Sequence, residues 1–220
     1  MDDPALIASL FTFTLATTTT PGPNNLLLMS SGALFGWRAT LPHLVGVQIG
    51  FAFVCASAVF GIGAVIESWP WLLGIVRLTG AVWLSWMAFR YMRAGLTSAR
   101  NEESSVEPCG PGDALGSSQA APLSRPLRLH EAVLFQWINP KVILISISSA
   151  SAFVDLSERV AERAFLICGA YLSSGILASS IWLMLGSTLN RLMSSGRSAV
   201  ALQCAMALLL FATACYIAFD

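Results

Sequence analysis

Apolar residues gather into six long windows along the chain, at approximately 5–35, 41–66, 69–92, 131–154, 164–189 and 199–219. Each reaches the roughly 20 residues that a helix needs to cross the hydrocarbon of a bilayer. The pattern therefore predicts an all-α polytopic membrane protein with six transmembrane helices. The first window is not continuous: Thr20-Pro21-Gly22-Pro23-Asn24-Asn25 interrupts it. Proline has no backbone N–H and clashes with the preceding turn, so two prolines around a glycine leave several backbone groups without intrahelical partners. In hydrocarbon such groups are costly unless they face protein or a water-filled cavity, and transporters use broken helices of this kind to hold substrates and ions.

Composition agrees with the membrane reading. Charged residues make up 11% of the chain and hydrophobic ones 55%, with a mean hydropathy of +0.70, against roughly 25% charged residues in soluble domains. The chain opens on Asp2 and Asp3 rather than on positive charge, so the first helix is expected to be retained and not cleaved as a signal. The zero net charge lacks the basic stripe of a nucleic-acid binder. Five cysteines, at 55, 109, 168, 204 and 215, show neither a C-x-x-C pair nor metal-ligand spacing and read as small packing residues. No H-E-x-x-H or G-x-S-x-G string is present, and His130-Glu131 has no second histidine nearby, so no enzyme activity, metal or cofactor is expected. A thiol-electron carrier would need a cysteine in each broken helix, which the first and fourth windows lack. A non-transporting scaffold subunit remains the alternative class.

Basic residues set the orientation. With the N-terminus outside, the inner loops hold Arg38, then Arg90, Arg93, Arg100, Arg125 and Arg128, then Arg191 and Arg197, eight in all, while the outer loops hold only Arg159 and Arg163. Cytoplasmic loops collect Lys and Arg, so both termini are expected on the periplasmic side. Residues 95–128, rich in Gly, Pro, Ser and Glu, read as a flexible cytoplasmic linker. It separates residues 1–94 from 129–220, with three windows each. An odd number of helices per half makes the halves run in opposite directions, giving two inverted three-helix repeats. The fourth window echoes the first: Asn139-Pro140-Lys141 is followed 15 residues after its proline by Asp155, as Pro23 is by Arg38. Helices 1 and 4 are thus both predicted to break, near mid-membrane.

Several side chains are candidates for the chemistry. After the first break a new helix begins near Asn24, with free N–H groups and a positive dipole end that suit a substrate carboxylate. Asn24 and Asn25 fit two roles, capping that helix or contacting substrate. Lys141 costs roughly 2.5–3.5 kcal/mol at a membrane centre, which makes it a functional candidate. Its partner is either a carbonyl freed by Pro140 or Pro21, or the carboxylate of a bound amino acid. Gln48, between Gly46 and Gly50, either lines the pathway or makes an interhelical hydrogen bond. Gly46, Gly50 and Gly61 are expected to permit close helix packing. Arg77 is expected to snorkel to the outer surface, and Trp69, Trp71 and Trp182 to anchor at interfaces or pack in the core. His43 is expected to be a solvated or capping residue near the inner end of the second helix. Ser173, Ser174, Gly175 and Ala178 mark either a homodimer contact or internal packing.

Thr20-Pro21-Gly22-Pro23-Asn24, the glycine-spaced second helix, Arg77-Leu-Thr-Gly80-Ala-Val-Trp-Leu84 and Asn139-Pro140-Lys141 together resemble the LysE/RhtB family of bacterial amino-acid exporters. The likeness covers essentially the whole chain. The string that includes Asn25, with Phe135-Gln136-Trp137-Ile138-Asn139, most resembles the branch that exports cysteine and O-acetylserine. The resemblance implies an inner-membrane exporter driven by proton antiport, with Pro21, Gly22, Pro23, Asn24, Asn25, Asn139, Pro140 and Lys141 at the core of transport. Many members carry aspartate where this chain has Asn24, so coupling falls to Lys141, His43, Glu131 or the charge of the amino acid itself. With no intramembrane acid to pair with a cationic side chain, small neutral substrates are expected ahead of basic ones.

Overall fold

The computed structural model describes residues 4–62, 65, 68–69, 71–104, 125–192 and 197–219. Most of the linker window, with Cys109, lies outside the described residues. Seven α-helices are described: α1 (Pro4–Thr19), α2 (Pro23–Ser57), α3 (Trp71–Ser104), α4 (Leu129–Phe135), α5 (Pro140–Ala152), α6 (Val160–Leu192) and α7 (Arg197–Phe219). A π-helical turn, Ala58–Ile62, continues α2, and a 3-10 turn, Gln136–Ile138, joins α4 to α5. α3 runs on through residues 95–104, so the start of the linker window is helical.

Among the described residues, Pro23–Gly61, Trp71–Arg93 and Val160–Leu189 are long and apolar enough to cross a membrane, and α4 with α5, bent by 66°, makes a fourth candidate. Pro4–Thr19 and Gln203–Phe219 are apolar but shorter. Large apolar side chains such as Phe53, Phe60, Val82, Phe165 and Ile181 stand exposed on the outside of the bundle. Water would penalise that surface, whereas lipid would not.

α2 is two helices. Gly36 has φ 78°, a conformation that only glycine adopts freely. Ser31 Oγ lies 3.2 Å from His43 Nδ1, although twelve residues of straight helix would hold them about 18 Å apart. The chain therefore reverses at Gly36, and the arm before it packs against the arm after it, with Leu28, Leu44 and Val47 in one cluster. The predicted end of the first window at residue 35 coincides with this reversal.

α2 packs most extensively on α6, and α3 on α7. Gly32 and Gly186 let the first arm of α2 and α6 meet backbone to backbone, since a Cβ at Gly186 would strike the Met29 carbonyl. Gly46 and Gly50 bring the second arm against the Leu129 and Val133 carbonyls of α4, as the glycine spacing predicts. Gly61 corrects that expectation: a Cβ added there would meet no described atom within 4 Å, and its φ of 118° shows a backbone role instead of a packing one. Of the small-residue face, Ser174, Gly175 and Ala178 are buried inside the chain, as internal packing requires, whereas Ser173 is exposed.

Candidate substrate site at the two helix breaks

Both breaks form where the sequence places them. α1 ends at Thr19 and α2 starts at Pro23, with Gly22 extended at the N-cap. In the second half, Asn139 is extended at φ −89°, ψ 104° and Pro140 begins α5. The first ladder bonds are Leu26 N–H to the Gly22 carbonyl, 3.0 Å, and Val142 N–H to the Asn139 carbonyl, 3.1 Å. The N–H groups of Asn24, Asn25 and Lys141 precede those ladders, and each helix presents the positive end of its dipole.

The carbonyls freed at the end of α1 are taken up by side chains. The normal helical partner of the Thr19 carbonyl is the N–H of residue 23, which proline lacks, and Trp182 Nε1 donates to it instead at 3.3 Å. Asn25 Nδ2 donates to the Thr18 carbonyl at 2.8 Å and to the Thr20 carbonyl at 3.0 Å. Lys141 Nζ also donates to Thr20, at 2.7 Å. The hydroxyls of Thr17, Thr18 and Thr20 turn back to carbonyls three or four residues earlier, so they add no unpaired donors.

These contacts revise two expectations and add to a third. Neither asparagine caps α2, whose N-cap makes no side-chain bond: Asn25 closes the preceding helix, and Asn24 Nδ2 donates to Gln136 Oε1 at 2.7 Å. Trp182 packs partly buried against a core cluster, one of its two expected places, and its indole also closes the first break. His43 is fully buried and bonded to Ser31, so it is not solvated.

Around the breaks lies a partly open cavity, whose roughly 450 Å³ of empty space includes the space at its mouth. Gly22, Asn24, Asn25, Gln48, Asn139 and Lys141 all line it, brought together from both halves of the chain. Pro21, Pro23 and Pro140 instead line an adjoining, partly open cavity, which shares Gly22, Lys141 and Ile145 with the first. Gln48 fits both of its alternatives, lining the cavity while its Nε2 donates to Ser179 Oγ at 2.9 Å.

Lys141 is the charged residue among those described as lining the central cavity. Asn139 Oδ1 is buried without a hydrogen-bond partner, its residue 2% exposed. A buried acceptor left unpaired costs about 1–3 kcal/mol. The chamber thus combines a cation and two helix N-termini, which suit a carboxylate, with an idle amide oxygen, which suits an ammonium group.

Sequence reasoning overlooked Gln136, Tyr171 and Ser179. Gln136 is fully buried, paired with Asn24 and bonded to the Ala132 carbonyl at 2.9 Å. Its place one turn before Asn139 in a polar-poor window was a usable signal. Tyr171 and Ser179, on α6, line the cavity from a helix without a motif.

Glu131, a candidate for coupling, is held by Arg125 in a two-pronged pair, both bonds at 2.7 Å, and accepts from the Arg128 N–H. The carboxylate raises the Arg125 guanidinium above its ordinary pKa. The pair borders a third cavity, with Ser31, Arg90 and Tyr91, away from the two breaks.

A family model described as LysE type translocator matches residues 15–220. The cysteine/O-acetylserine efflux protein of Klebsiella pneumoniae subsp. pneumoniae is 31% identical over 194 residues, 86% of each chain. The protein of the same description from Escherichia coli (strain K12) is 26% identical over 192 residues, again 86% of each. No solved structure matches the chain significantly.

Proposed function

Because the chain belongs to the LysE family of translocators, we propose that it exports a small neutral amino acid across the bacterial inner membrane by exchange for protons. Cysteine, O-acetylserine, serine and threonine are the substrates this reading favours. The observation that carries it is the convergence of Lys141 and both helix N-termini on one cavity, lined also by Asn139, whose buried amide oxygen is unpaired. A zwitterion supplies both complements: its carboxylate goes to Lys141 and the N–H groups of Asn24 and Asn25, and its ammonium to Asn139 Oδ1. Lys141 would repel a cationic side chain, and no acidic residue is described in the lining to offset it. The relatives named for cysteine and O-acetylserine efflux support the same choice.

The architecture that goes with this reading is six spans in two inverted three-helix repeats, with both termini periplasmic. Breaks in the first helix of each half and the reversal at Gly36 support the repeat. Eight inner arginines against two outer ones support the orientation. Export follows if the cavity opens alternately to the two sides while the halves rock around the breaks.

Purified protein in liposomes loaded with unlabelled amino acid tests the reading. Counterflow of labelled O-acetylserine or cysteine is expected, quickened by an imposed pH gradient and little inhibited by lysine. Absence of counterflow for every amino acid would leave the scaffold-subunit alternative. Exclusive response to lysine or arginine would overturn the electrostatic argument.

A further inference from the structure

The adjoining, partly open cavity has a feature that the central site does not use. Its wall carries two cations, Lys141 and Arg77, and no acidic residue is described in its lining. The rest is proline, aliphatic carbon and the hydroxyls of Thr20, Thr213 and Tyr216. Arg77 is half-buried there, and no hydrogen bond or ion pair of its side chain is described. A guanidinium so placed offers a fork of donors matched to a carboxylate.

The position of the cavity gives it a direction. Arg77 lies six residues after Trp71, where α3 begins, and Tyr216 three residues before Phe219, where α7 ends. Both helix ends face the periplasm in the proposed topology. Lys141 and Gly22 belong to both cavities, so the lysine side chain stands between the central chamber and this outer one. The absence of a side chain at Gly22 leaves the space that the lysine stem occupies, since a Cβ there would lie 2.8 Å from Lys141 Cδ.

We propose that this cavity is a second carboxylate-binding station on the outward side, where Arg77 receives the amino acid's carboxylate after Lys141 releases it. The inference rests on the export reading above. Two cations in sequence let the substrate leave the first without meeting bare hydrocarbon. The weaker grip of a lysine point charge and the fork of an arginine favour passage outward.

The test uses cysteine-free protein carrying Thr213→Cys, reconstituted in liposomes, with an impermeant thiol reagent and O-acetylserine added at the periplasmic face. O-acetylserine is expected to slow modification several-fold, and its methyl ester, which has no carboxylate, is not. With Arg77→Gln the protection disappears and maximal export falls about tenfold, while binding at the central cavity changes less than about twofold. Arg77→Lys is expected to recover part of the export. Normal export by Arg77→Gln, a thiol that never reacts, or modification indifferent to O-acetylserine would each overturn the station. So would protection by phosphatidylglycerol vesicles without amino acid, which would assign the cavity to a lipid phosphate. Failure of the parent protein to move any amino acid would end the export reading and this one together. Normal export by Arg77→Gln beside an active parent would end this one alone.

Discussion

Lys141 Nζ lies 2.7 Å from the carbonyl oxygen of Thr20, a contact between residues 121 positions apart. It joins the lysine of the second break to the carbonyl end of the helix before the first. The negative end of α1's dipole adds to the attraction. The tether to a freed carbonyl, one of the two partners the sequence allowed, is therefore present, and a substrate carboxylate would compete for the same ammonium group.

Replacing the lysine separates the two roles. Lys141→Met keeps an apolar, helix-compatible stem and should insert at least as well as the parent. Its export is expected to fall about tenfold or more, while stability changes by only about 1 kcal/mol from one lost hydrogen bond. Amino-acid binding and liposome transport of the purified variant, with its thermal midpoint, check this. Near-normal transport would leave the lysine as a tether alone.

Gly22→Ala approaches the same contact from the other side. Its Cβ would lie 2.8 Å from Lys141 Cδ and 3.1 Å from Nζ, atoms of a flexible chain that can move away. The thermal midpoint should hardly change, whereas the KM for export should rise several-fold as the ammonium group is displaced. An unchanged KM would show that the position of the ammonium group does not matter.

Gly186→Ala should behave in the opposite way. The added methyl would meet the backbone of Met29, which cannot yield without moving α2 against α6. A loss of about 1–3 kcal/mol is expected, as in other overpacked contacts. Thermal denaturation in detergent would show it, and a variant as stable as the parent would contradict the close approach of these helices.

Asn24 and Gln136 form a two-bond amide pair, 2.7 and 3.2 Å, between the two halves of the chain. Asn24→Ala leaves the buried Gln136 Oε1 without its donor, at a cost of about 1–3 kcal/mol. Gln136→Leu in the same protein should recover part of that loss. Additive losses in the double-mutant cycle would mean that the pair contributes no coupling.

Topology has its own measurement. In a cysteine-free background, a cysteine placed in residues 105–124 should resist an impermeant thiol reagent in intact cells, and one at Ser157 should react. The reverse pattern would invert the proposed orientation.

What the sequence determined by itself was what depends on local chemistry. Six apolar windows against 11% charged residues required a membrane protein, and the Pro21-Gly22-Pro23 and Asn139-Pro140 strings pointed to helix breaks because proline lacks the N–H of the ladder, although the lone Pro42 sits inside α2 without ending it. Candidate residues of both motifs were legible for that reason. Tertiary structure alone decided which faces meet. In water, a one-sided apolar stripe reveals the inward face of a helix, but lipid is as apolar as the protein interior, and the stripe disappears. The burial of His43 beside Ser31, the closure of the first break by Trp182, the partnership of Asn24 with Gln136 and the approach of Arg77 to Lys141's cavity all depend on how helices are rotated about their axes. That rotation is fixed by glycine contacts such as Gly186 on Met29 and Gly50 on Val133, between residues far apart in the chain.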